Sequence, residues 1–290
     1  MLRKLMAFGL ALTLALGMTG CKHKTAENEQ AEEAAPVSFM TFNIRNSSAV
    51  EADGPNAWEF RKEAVAQMIW HECPDAIGLQ EVLPDQLAYL DSVLEGYTRI
   101  GVGRDNGNDE GECMAIYFKK DRFALQHSAT YWLSETPDTV SLGWDGACKR
   151  TATVVSLYDK VTRRPLLYVN THLDHVGVAA RTEGVKELAG IISSWAGEME
   201  PAIILGGDMN SDICDSLFAP IFDMQMADAR ATAPETDTML TYNAYGNGEQ
   251  SRIDHFFVKN VTLKSFETLN GDYGVPFVSD HYPVKVVFDL

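Results

Sequence analysis

Short apolar runs in this chain repeatedly end on side chains that a buried strand has no use for. The stretch "AIILGGDMNSD" carries Ala202–Leu205 into two glycines, then sets Asp208 and Asn210 two positions apart. "FMTFN" closes on Asn43, "AIGLQE" on Glu81 and "LLYVNTH" on His172. Asp254 lies inside "RIDHFFV", and Asp280 and His281 lie in "VSDHYPV". Alternate residues of a strand face one side, so polar residues two apart at its end point the same way and must meet something there. Singly, each has an ordinary reading: Asn43 in a turn, Glu81 as a cap for the next helix, Asp280 as a brace within its loop. Their recurrence at the ends of apolar runs points instead to a site built along one edge of a sheet scaffold.

The same runs set the fold class. β-forming stretches occupy residues 37–44, 75–82, 97–102, 114–118, 125–133, 151–158, 166–172, 202–205, 253–258, 261–266 and 284–290. Helical spacing marks residues 56–73, where Trp58, Val65, Met68 and Ile69 share a face. Residues 84–94, opened by Pro84 and Asp85, and 178–196 read as further helices. Many strands and a few amphipathic helices predict an α+β chain, two packed sheets with helices outside. Residues 37–290 read as one domain, and a monomer is expected.

The first residues stand apart from that domain. Arg3 and Lys4 precede an apolar stretch, Leu5–Leu16, too short to span a bilayer. Met18-Thr19-Gly20-Cys21 follows. A basic start, an apolar middle and small residues before a cut make a signal peptide over residues 1–20. The cysteine after Thr-Gly resembles a bacterial lipobox, with Met18 where leucine is usual and Cys21 as the lipidated residue. Residues 21–36 are then an acidic tether too poor in apolar side chains to order themselves. A protein lipid-anchored to a bacterial membrane and facing away from the cytoplasm is expected.

The formal net charge is −17, and the signal peptide removes only two charged residues, both basic. No basic stripe of the kind that holds long nucleic acid is visible. The remaining cysteines, Cys73, Cys113, Cys148 and Cys214, match no CxxC or zinc spacing and read as small buried residues.

Six stretches, "TFNIR", "GLQEV", "NTHLDH", "GGDMNSD", "RIDHFFV" and "SDHYPV", follow one another in an order that resembles the endonuclease/exonuclease/phosphatase superfamily. The resemblance covers residues 37–290 and implies a DNase I-like four-layer α/β/β/α sandwich of two mixed β-sheets. "DGPNAWEFRK", "GVGRDNG", "YWLSETPD" and "GWDGACKR" are similar to a bacterial branch that is often secreted or lipid-anchored. Cys113 and Ala115 stand where that branch more often has Phe and Pro, a departure expected to alter the cleft lining.

The resemblance implies metal-dependent phosphoester hydrolysis. That chemistry needs charge neutralisation on the phosphoryl oxygens and an in-line nucleophile. A hard cation, magnesium or in its place manganese, would be held by Glu81, by the Asn43 amide oxygen and with support from Asp280. Asp254 would fix the tautomer of His281, and the pair would act with Asp208 on water or transition state. Asn210 and His172 would donate to phosphoryl oxygens. Arg45 stands where several family nucleases carry an acid; it would bind phosphate or form a surface ion pair. His175 and Arg181 would touch substrate or brace the following helix, and "RDNGNDEGE" and residues 132–144 would shape the cleft.

The expected substrate is a small phosphorylated molecule or lipid headgroup. A nuclease acting on short nucleic acid stands second, because the acidity is awkward for it. A noncatalytic binding lipoprotein stands third, because no catalytic position of the motif set is missing.

Overall fold

A computed structural model describes residues 35–213 and 216–290. Cys21, the signal peptide, almost all of the tether and Cys214 lie outside the described residues. The strands are β1 (Val37–Asn43), β2 (Ala76–Val82), β3 (Tyr97–Ile100), β4 (Cys113–Lys119), β5 (Phe123–Trp132), β6 (Thr151–Asp159), β7 (Pro165–His172), β8 (Ala202–Asp208), β9 (Ala227–Asp228), β10 (Asp254–Lys259), β11 (Thr262–Thr268) and β12 (Val284–Asp289). The helices are α1 (Val50–Asp53), α2 (Trp58–Glu72), α3 (Pro84–Val93), α4 (Val178–Ala196), α5 (Ala219–Asp223) and α6 (Ala229–Thr232).

Two six-stranded sheets form, in the orders β11-β12-β1-β2-β4-β3 and β5-β6-β7-β8-β10-β9. Both are mixed: β1 runs parallel to β2 and antiparallel to β12, and β8 runs parallel to β7 and antiparallel to β10. Strand alternation sorts the apolar side chains into three layers. Phe39, Tyr168, Ile204, Phe256 and Phe288 pack between the sheets. Met40, Phe42, Val65 and Ile69 pack between the first sheet and α2. Val169, Leu188, Leu205 and Phe257 pack between the second sheet and α4. The result is the four-layer sandwich of the DNase I-like fold.

Parity along each strand then decides what lies between the sheets at one end. Counting by twos from Phe39 leads to Asn43, from Tyr168 to His172, from Ile204 to Asp208, and backwards from Phe256 to Asp254. Between apolar layer and polar end lies a transition: Gln80 Nε2 donates to Thr41 Oγ1 (2.9 Å) and Asn170 Oδ1 (2.6 Å). The sheets meet so closely there that a Cβ on Gly78 would come within 2.5 Å of the Tyr168 hydroxyl.

Cys113 and Ala115 are fully buried in β4, packed with the α2 and α3 side of the first sheet. The departure at these positions therefore changes the core, and the expected effect on the cleft lining is corrected. The reading of the cysteines as buried holds for Cys113 and fails for two others: Cys73 is exposed and Cys148 is partly exposed.

Candidate active site

Three residues stand abreast on neighbouring strands. β7 and β8 set His172 beside Asp208, and β8 and β10 set Asp208 beside Asp254. His281, just before β12, closes the group: its Nδ1 is 2.9 Å from Asp254 Oδ2, and its Nε2 is 3.7 Å from Asp208 Oδ2. From the other sheet Asn43 Nδ2 donates to Asp208 Oδ2 (2.9 Å) and to Glu81 Oε1 (3.0 Å). Asn46 donates to Glu81 Oε2 through its backbone N–H (3.1 Å) and its Nδ2 (2.9 Å).

The local backbone is bent to make this possible. Arg45, Glu81 and Asn210 all have left-handed φ angles, 57°, 63° and 47°, unfavourable for residues with a Cβ and held only where packing over-determines them. The β2–β4 pairing is irregular between Leu79 and Val82, which re-aims Glu81. Two buried polar side chains secure the Arg45 turn. Arg61, only 1% exposed, donates to the carbonyls of Ile44, Arg45, Asn56 and Val278. Gln86 of α3 donates to Arg45 O (2.9 Å) and accepts from the Ser47 N–H. Nothing in the sequence pattern singled out Arg61, Gln86 or Asn46.

Electrostatics follow from burial. Burial pushes the Asp208 carboxyl up, and the neighbouring Asp254 carboxylate pushes it further, to about 7. Burial opposes a charge on His281, yet the Asp254 and Asp208 carboxylates outweigh it and lift the imidazole to about 10. His172 goes the other way: burial, and then the Arg150 guanidinium, hold it well below its ordinary value, so it is neutral. Burial also works against the Glu81 charge, but the Asn43 and Asn46 donors and nearby His281 hold its pKa below the usual carboxylate value.

The cleft, about 730 Å³, is lined by Arg45, Glu81, His172, Asp208, Asn210, Asp280 and His281. It also takes in His175, Arg104 and Glu112, the last two from the expected "RDNGNDEGE" stretch, and Cys148, Arg150 and Tyr242, which sequence reasoning did not select. The Tyr242 ring lies 5.0 Å from that of His281. Arg104 and Glu112 belong to the "RDNGNDEGE" turn, so that loop does shape the cleft.

Three expectations change. Of the two readings of Arg181, substrate contact fails and bracing holds: it is absent from the cleft lining, and its Nη1 donates to Asp174 O (2.8 Å) in the loop before α4. Asn43 turns its amide nitrogen to the carboxylates, because its oxygen accepts the Arg45 N–H (3.0 Å); it orients Glu81 and Asp208 instead of offering an oxygen. Asn210 spends its amide nitrogen on Leu173 O and His172 Nε2, both at 2.9 Å. A carbonyl only accepts, so the amide orientation is fixed and His172 Nε2 is the acceptor. In this arrangement neither Asn210 nor His172 Nε2 donates into the cleft. Arg45 lies in the cleft, yet its guanidinium is held by Asp53 (3.0 Å) and approaches Asp280 at 3.8 Å.

The residues present suit a divalent cation. Glu81 and Asp280 offer only oxygen, the preference of a hard ion. Burial raises the Asp280 pKa and the Glu81 charge raises it further, a repulsion that a cation between them would relieve. Asp208, Asp254 and His281 also cluster within 4.8 Å, but there the His281 imidazolium already supplies positive charge.

Comparison with known proteins agrees with this geometry. The model of the Endonuclease/Exonuclease/phosphatase family matches residues 40–281. A mannosyl-6-phosphatase from Bacteroides thetaiotaomicron is 30% identical, with a TM-score of 0.82 over 88% of this chain and 100% of that one. An endonuclease/exonuclease/phosphatase from Bacteroides vulgatus is 34% identical, also at 0.82, over 88% and 99%. Tyrosyl-DNA phosphodiesterase 2 of Mus musculus is 37% identical over 91 residues, which are 31% of this chain and 22% of that protein.

Proposed function

The chain belongs to the endonuclease/exonuclease/phosphatase family, and from that premise we propose that it is a magnesium-dependent hydrolase of small phosphoesters, anchored by lipid on Cys21 outside the cytoplasm. The observation that carries the hydrolytic reading is the alignment of His172, Asp208 and Asp254 on adjacent strands, with His281 bonded to Asp254 and Glu81 facing them from the first sheet.

Bound by Glu81 and Asp280, magnesium would neutralise charge on the phosphoryl oxygens. Manganese would serve in its place. The chain's own groups divide the rest. Asp208, with a pKa near 7, is poised to take a proton from the attacking water. His281 is charged at neutral pH, so its Nε2–H donates to the phosphoryl group while Asp254 fixes its orientation. Asn43 keeps Asp208 and Glu81 apart and aligned. Neutral His172 borders Asp208 at 3.3 Å and restricts its movement.

The similarity to a mannosyl-6-phosphatase makes sugar phosphates the first molecules to try. A long nucleic acid is disfavoured by the net charge of −17. The test is hydrolysis of a panel of phosphomonoesters, phosphodiesters and short oligonucleotides, with and without EDTA. Turnover of a small ester that EDTA abolishes and magnesium restores supports the reading. Activity confined to oligonucleotides, or undiminished in EDTA, would overturn it.

A further inference from the structure

One wall of the cleft has no part in the chemistry above. Arg150 leads into β6; Ala152 pairs with Thr171, so Thr151 comes opposite His172 and Arg150 lies one residue beyond the row of His172, Asp208 and Asp254. Arg104 comes from the turn between β3 and β4 and lines the cleft beside it, with His175.

These cations are anchored on one side and unused on the other. Arg150, 7% exposed, donates from Nη2 to His175 Nδ1 (2.9 Å) and holds Nε 3.5 Å from Asp174. Arg104 Nη1 pairs with Glu112. Among the described residues, Arg150 Nη1 and Arg104 Nη2 make no hydrogen bond. A guanidinium only donates, so His175 Nδ1 is the acceptor and the ring N–H is on Nε2, a third donor. The nearby cluster of Cys148, Asp174 and His175 could suggest a metal site. Arg150 already contacts both Asp174 and His175, and the Asp174 carboxylate also accepts N–H bonds from Ala147, Val176 and Gly177. Each guanidinium thus has one carboxylate partner and keeps N–H donors to spare at the cleft it lines, a pattern suited to a further anion.

We propose that Arg104, Arg150 and His175 form a second anion subsite, and that the substrate carries a second anionic group, phosphate or carboxylate, beside the scissile phosphate. This rests on reading the cleft as a phosphoesterase site.

Glucose 6-phosphate, glucose 1,6-bisphosphate and 6-phosphogluconate share one phosphate and differ in the second group: none, phosphate or carboxylate. Their equilibrium binding to His281→Ala protein in magnesium is compared, and kcat and KM are measured on the active enzyme. At least one doubly anionic probe is expected to bind about tenfold or more tighter than glucose 6-phosphate, the worth of one charge-assisted contact, with the advantage in KM. The better of the two identifies the second group. Arg104→Gln and Arg150→Gln should each shrink that advantage, and Arg104→Lys should restore part of it. If Arg150→Gln fails to fold by circular dichroism, Arg104→Gln decides alone. Equal binding of all three probes, or an advantage that survives Arg104→Gln, overturns the proposal. Failure of the phosphoesterase reading shows differently, as no turnover of any ester in magnesium, while the binding comparison still decides the subsite.

Discussion

Asn43 and Asp208 lie 165 positions apart in the chain and on different sheets, yet the Asn43 amide nitrogen is 2.9 Å from Asp208 Oδ2. The same nitrogen reaches Glu81, so one amide joins two carboxylates, Asp208 buried and Glu81 half-buried. Asn43→Ala should leave both without that donor. Chemical denaturation should show a loss of about 1–3 kcal/mol, the cost of an unsatisfied buried group, together with a large fall in kcat. Unchanged stability would mean that the two carboxylates find other partners.

Glu81→Gln keeps the shape of the side chain and removes its charge. The cation affinity should fall, and activity should collapse with little recovery at high magnesium. A calorimetric magnesium titration of wild type and variant checks this. An undiminished affinity would place the cation elsewhere in the cleft.

Both Asp208 and His281 have folded-state pKa values above their ordinary ones, about 7 and about 10. Their protonation therefore stabilises the fold fully below the unfolded values, about 4 and about 6.5, and that contribution is lost as pH rises through the folded values. In EDTA, urea midpoints of wild type should fall from pH 4 to 7 and again from pH 6.5 to 10. Asp208→Asn should flatten the first window and His281→Gln the second. Parallel curves for wild type and both variants would contradict the shifts.

Cys21→Ser should release the protein from the membrane fraction into the soluble one, read by fractionation and by loss of lipid labelling. Wild-type protein recovered from the cytoplasm would refute the proposed anchor.

Much of the fold was legible because strand periodicity and apolar layering come from the same cause. β1, β2, β7, β10 and helix α4 lie within a residue or two of their expected bounds. The two-residue β9 and the short α1, α5 and α6 were not, since so few residues carry no periodic signal. The polar row of the cleft was legible because Asn43, His172, Asp208 and Asp254 hold the inward parity of their strands. What escaped was set by contacts distant in sequence. Arg61 reads as one more charge on a helix until its four carbonyl acceptors converge. Arg150 gains its place from a loop around Asp174, and the direction of the Asn43 amide depends on a left-handed turn at Arg45.

The central claim is that Asp254 and His281 act as one unit in phosphoester hydrolysis, and a double-mutant cycle on kcat/KM tests it most directly. Each single change, Asp254→Ala or His281→Ala, should cost roughly 10²–10⁴ in rate, the usual scale for an acid–base group. The double variant should be little slower than the worse single one, because groups that work together lose their effect together. His172→Ala should combine with His281→Ala more nearly multiplicatively. Circular dichroism confirms that each variant folds. Independent, multiplicative losses for Asp254 and His281 would contradict the account, leaving the 2.9 Å contact between them structural and the imidazolium without its catalytic partner.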